Sequence, residues 1–305
     1  MESIWIWATI SAAFFQALRY AGLKVLNQRL STQVTTYTRI LFTLPFLIVY
    51  LAAVLWWTGE PLPPLSRGLV LYSAAAAIAQ FIGTVLVVRL FQLGNFAVAT
   101  LIIKADVIMT ALIGTAFFSE AITLIGWIAI VVTMLGVLVI SGGRPAPAAD
   151  GAARLDLRSA MAPAAMGLSS ALVYSLSYLC LREGILDIDP SAGTLVRAAY
   201  SVLVMASLSS IMVGIYLLVR EPRELMRMFS YQKLCWFIGT TSALGSIAWF
   251  IAAALTNASY VAAVAQVQIV FTLLLSYFYF GERIRTLEIA GIAIIVAGLA
   301  LFRMA

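Results

Sequence analysis

Histidine is missing from this sequence altogether. The commonest general base and the commonest metal ligand go with it, which counts against an enzyme embedded in a membrane. The two cysteines, Cys180 and Cys235, both sit inside apolar runs, so neither a disulfide framework nor a zinc site is expected. Charge is scarce as well. Nineteen Lys and Arg and 13 Asp and Glu make up 10% of 305 residues, against roughly a quarter in a soluble domain. That is too little polar surface to wrap one or two cores in water, so lipid must cover the rest. The net charge of +6 does not indicate nucleic acid, because the basic residues fall singly between apolar runs and not on one patch. There is no nucleotide-binding P-loop, so ATP is not expected to act directly. No metal or cofactor is expected.

What is present is hydrophobic: 63% of residues are apolar and the mean hydropathy is +1.03. A bilayer core takes about 20 apolar residues as a helix. Ten such stretches are expected at Trp5–Leu23, Val34–Trp57, Gly68–Leu90, Asn95–Phe118, Thr123–Ile140, Ala160–Leu181, Ala192–Val219, Leu234–Leu255, Ser259–Phe280 and Leu287–Phe302. Glu2 and the lack of Lys or Arg before Arg19 are unlike a cleaved signal peptide, so the first stretch is expected to stay as a helix. Short connections such as Ser119–Ile122 force successive helices antiparallel. The exception is 141–159, a Gly-, Pro- and Arg-rich linker between a first repeat at 1–140 and a second at 160–305.

The two halves resemble each other. At an offset of 162 residues, Asn95 meets Asn257, Phe118 meets Phe280, Glu120 meets Glu282 and Gly136 meets Gly298; further upstream, at an offset of 158, Tyr20 meets Tyr178 and Arg39 meets Arg197. Five spans per half make the second half enter the membrane upside down. Charge gives an independent test. Odd-numbered loops carry twelve Lys and Arg (Lys24, Arg29, Arg89, Arg144, Arg154, Arg158, Arg220, Arg223, Arg227, Lys233, Arg283 and Arg285), whereas even loops and termini carry only Arg67, Arg182 and Arg303. The positive-inside rule therefore puts odd loops in the cytoplasm and both termini in the periplasm. Inverted repeats are a signature of carriers that alternate access around a central site.

The segments "NFAVATLIIKADVIMTALIGTAFFSEAITLIGWIAIVVTMLGVLVIS" and "SYVAAVAQVQIVFTLLLSYFYFGERIRTLEIAGIAIIVAGLALF" resemble the EamA repeat of the drug/metabolite transporter superfamily. The acidic turns "FFSEAITLIGW" and "YFGERIRTLEIAG" are the strongest part of the likeness, which runs over nearly the whole chain. The resemblance implies an all-α membrane fold of ten helices, arranged as two inverted five-helix repeats around a central cavity. It also implies a function such as efflux of amino acids or other small metabolites across a bacterial inner membrane.

Ionisable groups within spans cost several kcal/mol unless paired or facing a wet cavity, so each is a candidate for function. Lys104 lies nine residues past Asn95, roughly 14 Å deep, where a cation would bind a substrate carboxylate or phosphate; its alternative is a charge neutralised by another helix. Asp106 is the only carboxylate deep within a span. It is a candidate for proton coupling, or for a static salt bridge to Arg19, Arg39 or Arg197. Arg39 and Arg197 are candidate gates, or snorkelling side chains. Gln266 and Gln268 occupy the repeat positions of Lys104 and Asp106 and would complete a polar belt. Gln16, Gln80, Tyr174, Tyr178 and Trp249 are candidate cavity walls. Glu120 and Glu282 suit the N-terminus of the helix that follows each, and Pro45 is expected to kink the second span.

The expected function is secondary transport of a small solute, anionic or zwitterionic, with the bilayer and protons as partners. The alternatives are a channel-like facilitator or uptake carrier, and a membrane enzyme. A channel would line its pore with a continuous polar pattern, and an enzyme would need clustered nucleophile, base or metal ligands.

Overall fold

A computed structural model describes residues 4–92, 105–142, 157–280 and 285–304, and all regular structure among them is helical. The helices are α1 (Ile4–Leu26), α2 (Thr32–Leu41), α3 (Leu44–Thr58), α4 (Arg67–Gln92), α5 (Asp106–Phe117), α6 (Leu124–Gly142), α7 (Leu157–Leu186), α8 (Thr194–Arg220), α9 (Pro222–Arg227), α10 (Gln232–Leu255), α11 (Ala258–Val264), α12 (Gln268–Phe280) and α13 (Thr286–Leu301). Asn95, Lys104, Glu282 and most of the 141–159 linker lie outside the described residues.

Two expected spans are interrupted. Pro45, at the second position of α3, has no N–H and its ring would clash with the carbonyl of Leu41, so α2 and α3 are separate helices. The Thr43 hydroxyl meets the freed backbone there, 2.6 Å from the Arg39 carbonyl and 3.1 Å from that of Gly239. Between α11 and α12 the chain tightens into a 3₁₀ turn at Ala265–Val267. Between α8 and α10 it forms α9 and a further 3₁₀ turn, Met228–Tyr231, where only a loop is expected.

Segments Thr32–Thr58, Arg67–Leu86, Thr194–Arg220, Pro222–Leu255 and Ala258–Leu275 are long and apolar enough to cross a bilayer, and Asp106–Phe117, Leu124–Ile140 and Thr286–Leu301 are shorter apolar helices. Trp56, Phe117, Leu124, Val219 and Phe278 are each at least 76% exposed. Large apolar side chains displayed this widely need lipid and not water around them.

The chain forms two compact units that do not follow the sequence halves. The first comprises Met1–Ala77 and Cys180–Thr256, the second Ile78–Leu179 and Asn257–Ala305. In the first, α3 packs on α8, and their core holds Leu47 with Val202 and Met205, then Leu51 and Val54 with Val196 and Tyr200. Tyr37, earlier in the chain, lies 3.3 Å from Ser210, so residues 37–54 run antiparallel to 196–210. Helix α1 packs antiparallel to α10, with Gly22 beside Ile238 and Phe15 beside Gly245.

In the second unit α6 packs closely on α13. A Cβ on Gly136 would sit 2.8 Å from the Gly291 carbonyl, and one on Gly291 would sit 2.8 Å from the Gly136 carbonyl, so only glycine lets the backbones meet. Gly136 faces Ile295, and Gly298 faces Thr133. Each contact becomes the other when 162 is added to one partner and subtracted from the other, and the two helices run antiparallel. Helix α5 packs on α11, again with the end of one beside the start of the other.

Candidate functional site

The second unit gathers most of the expected polar residues that are described. Asp106 opens α5 and is buried. Its backbone carbonyl accepts from the Thr110 hydroxyl at 2.7 Å and from the Ser175 hydroxyl of α7 at 2.8 Å. One residue earlier on α7, the Tyr174 hydroxyl lies 3.0 Å from Thr84 Oγ1 of α4, whose hydroxyl also donates to the Gln80 carbonyl at 2.8 Å. The Tyr174 ring lies flat against Gly83, where a Cβ would stand 3.1 Å away. The Tyr178 ring stacks with that of Tyr174, their centroids 6.4 Å apart at 24°. Ser175, Thr84 and Thr110 are the residues that sequence reasoning missed. Hydroxyls read as neutral in an apolar helix, although inside a bundle they bond carbonyls and neighbouring helices.

Gln266 sits in the 3₁₀ turn and is 6% exposed. Its Nε2 donates to the Ala262 carbonyl at 3.2 Å, which serves a backbone group disturbed by the change of helix type, while Oε1 is buried without a hydrogen-bond partner among the described residues. Gln268 begins α12 and is half-buried.

Gln16, Arg39, Arg197 and Trp249 belong to the first unit. Gln16 Nε2 lies 3.5 Å from the Tyr20 hydroxyl, and Trp249 packs against the Leu47, Leu181 and Val202 core. The two repeat-equivalent arginines occupy unlike places: Arg39 is in the last turn of α2, where the helix dipole favours a cation, and Arg197 is in the first turn of α8. Lys104 lies outside the described residues.

The acidic turn corrects one expectation. Glu120 does not cap α6, the helix that follows it, because Thr123 already does so, its hydroxyl accepting from the Gly126 N–H at 3.0 Å. The carboxylate of Glu120 accepts instead from Ala258 N–H at 2.6 Å, Ser259 N–H at 3.3 Å and the Ser259 hydroxyl, at the start of α11. Asn257 Nδ2 returns a bond to the Ala121 carbonyl at 2.9 Å. Ser119, with φ of 53°, makes the left-handed bend that turns Glu120 back toward α11. Three more acids meet helix starts elsewhere in the chain, two through a backbone N–H and one through the capping hydroxyl. Glu60 accepts from the Gly193 N–H that starts α8, at 2.7 Å. Asp187 accepts from Leu69 N–H near the start of α4, at 3.0 Å. Glu221 accepts from the Ser31 hydroxyl at the start of α2.

Residues 3–142 and 161–304 each match the model of the EamA-like transporter family. The chain belongs to that family. Its EamA-like repeats lie on either side of the linker, and the family makes it a multi-pass membrane protein of the drug/metabolite transporter superfamily that acts on a small molecule. A solved structure titled only as the crystal structure of a protein shares the fold: TM-score 0.70 at 15% identity, covering 98% of this chain and 95% of the other. No curated protein matches the chain.

Proposed function

We propose that this EamA-like protein is a secondary exporter of small metabolites such as amino acids, working by alternating access across the bacterial inner membrane. Its ten spans form two inverted five-helix repeats, with odd loops cytoplasmic and both termini periplasmic. The observation that carries this reading is the antiparallel packing of repeat-equivalent helices. Spans two and seven, four and nine, and five and ten each run in opposite senses side by side, and the reciprocal Gly136–Ile295 and Gly298–Thr133 contacts are what a two-fold axis between inverted copies requires.

Within the second unit, Lys104 binds the substrate's carboxylate and Asp106 exchanges a proton. Gln266, Gln268, Gln80, Tyr174 and Tyr178 supply amides and rings to a zwitterion. The orphaned Oε1 of Gln266 supports this reading, since a buried acceptor without a partner is destabilising by about 1–3 kcal/mol unless a ligand or water meets it. Arg39 and Arg197, in the first unit, act as gates. The test is counterflow in proteoliposomes against a panel of amino acids, organic anions and amines, with and without a pH gradient. Exchange of one solute that saturates supports the carrier, and flux that never saturates refutes it.

A further inference from the structure

We infer that the segment Arg220–Leu234 is a binding site for an anionic phospholipid headgroup. Helix α10 alone, 24 residues, rises about 36 Å and so crosses the roughly 30 Å hydrocarbon core by itself. The charged α9 and the 3₁₀ turn that precede it therefore lie at the membrane surface and not within it. There α9 and the 3₁₀ turn are two-faced: Leu225 and Met228 are buried, while Met226 and Phe229 point outward, 67% and 44% exposed. This is the pattern of a segment lying in the headgroup layer.

Charge selects the lipid. Of the two acids present, Glu224 pairs with Arg227 at 2.5 Å and Glu221 is engaged by Ser31. Arg220, Arg223 and Lys233 are exposed and have no acidic partner among the described residues. Lys233 lines a depression of about 520 Å³ together with Phe229, Ser230, Tyr231, Gln232 and Leu234, and Arg220 and Arg223 lie earlier in the same segment. Arg29 lies over the Tyr231 ring, 5.6 Å from its centroid, adding a further cation. A hydroxyl, an amide and an ammonium set beside apolar walls suit a phosphate whose acyl chains continue into lipid. The transport reading is not needed for this inference.

The test uses the full chain in neutral detergent, titrated separately with phosphatidylglycerol, phosphatidylcholine and inorganic phosphate. Thermal unfolding and native mass spectrometry report bound lipid. Each cation near an anionic surface contributes roughly fivefold, so Arg220→Gln/Arg223→Gln/Lys233→Gln should weaken phosphatidylglycerol retention on the order of a hundredfold. Arg67→Gln/Arg285→Gln/Arg303→Gln, with the same charge removed elsewhere, should retain it. Unchanged unfolding without lipid establishes that the triple variant is folded; if it unfolds early, Lys233→Gln alone should lower retention roughly fivefold. Equal retention by parent and variant, or equal stabilisation by inorganic phosphate or phosphatidylcholine, overturns the site.

Discussion

Removing the Glu120 carboxylate should separate α5 from α11. Glu120 is 3% exposed and accepts from two backbone N–H groups and one hydroxyl at the first turn of α11. Lipid and packed side chains offer those donors no other acceptor. A hydrogen bond to a charged group contributes about 1.5–3 kcal/mol. Three of them, less the desolvation of the carboxylate, give about 3 kcal/mol for Glu120→Ala. Glu120→Gln keeps one acceptor but turns an NH₂ toward a donor and loses the charge at the helix start, so about 1–2 kcal/mol is expected. Ser259→Ala removes only a hydroxyl and should cost about 1 kcal/mol. The double variant should fall short of the sum by a comparable amount, because both substitutions break the same bond. Unfolding the full chain by SDS titration in mixed micelles, read by circular dichroism, measures all four. A Glu120→Ala protein within about 0.5 kcal/mol of the parent, or strictly additive effects with Ser259→Ala, would refute the cap.

Other expectations are as direct. Ser119→Gly should stabilise by about 0.5–1 kcal/mol in the same titration, because glycine adopts the left-handed backbone without steric cost; the second repeat already has Gly281 at that position. Gly136→Ala places a Cβ 2.8 Å from the Gly291 carbonyl and the Ile295 nitrogen, neither of which can swing away. A loss of about 2–3 kcal/mol is expected, and a neutral result would show that α6 and α13 do not meet this closely. Lys104→Ala should abolish counterflow of an anionic or zwitterionic substrate while folded protein is recovered normally; unchanged kinetics would remove Lys104 from the site. Asp106→Asn should lose proton-driven accumulation and keep passive exchange, and accumulation retained in that variant would exclude Asp106 as the coupling group.

The helices were legible because lipid imposes one rule, about 20 apolar residues per crossing, and short connectors leave few alternatives. Pro45 announced the break between α2 and α3 for a local reason. The 3₁₀ turn at Ala265–Val267 carried no such mark: "AVAQVQ" contains neither glycine nor proline, so its geometry comes from packing. Capping was misread for a similar reason. Sequence links an acid to the helix beside it, and Glu120 stands beside α6, but Thr123 fills that role. Only the fold reveals that the carboxylate serves a helix 138 residues away. The compact units were hidden too, since the repeat is a pattern along the chain whereas packing pairs helices from both copies.

The chain has only 13 acids, and at least four of them meet the start of a helix elsewhere in the chain. Each helix start leaves N–H groups that hydrocarbon cannot satisfy. In the first unit the arrangement is reciprocal. Glu60, which follows α3, caps α8, and Glu221, which follows α8, binds the Ser31 that caps α2. The antiparallel pair is therefore fastened at both ends by the same chemistry used twice. Sliding α8 by one turn, about 5.4 Å, would break both fastenings together, although the apolar surfaces between them, rich in Leu, Val and Ala, would repack with little loss. Register in this pair is set by two carboxylates at its ends, while lipid and apolar packing supply affinity without deciding alignment.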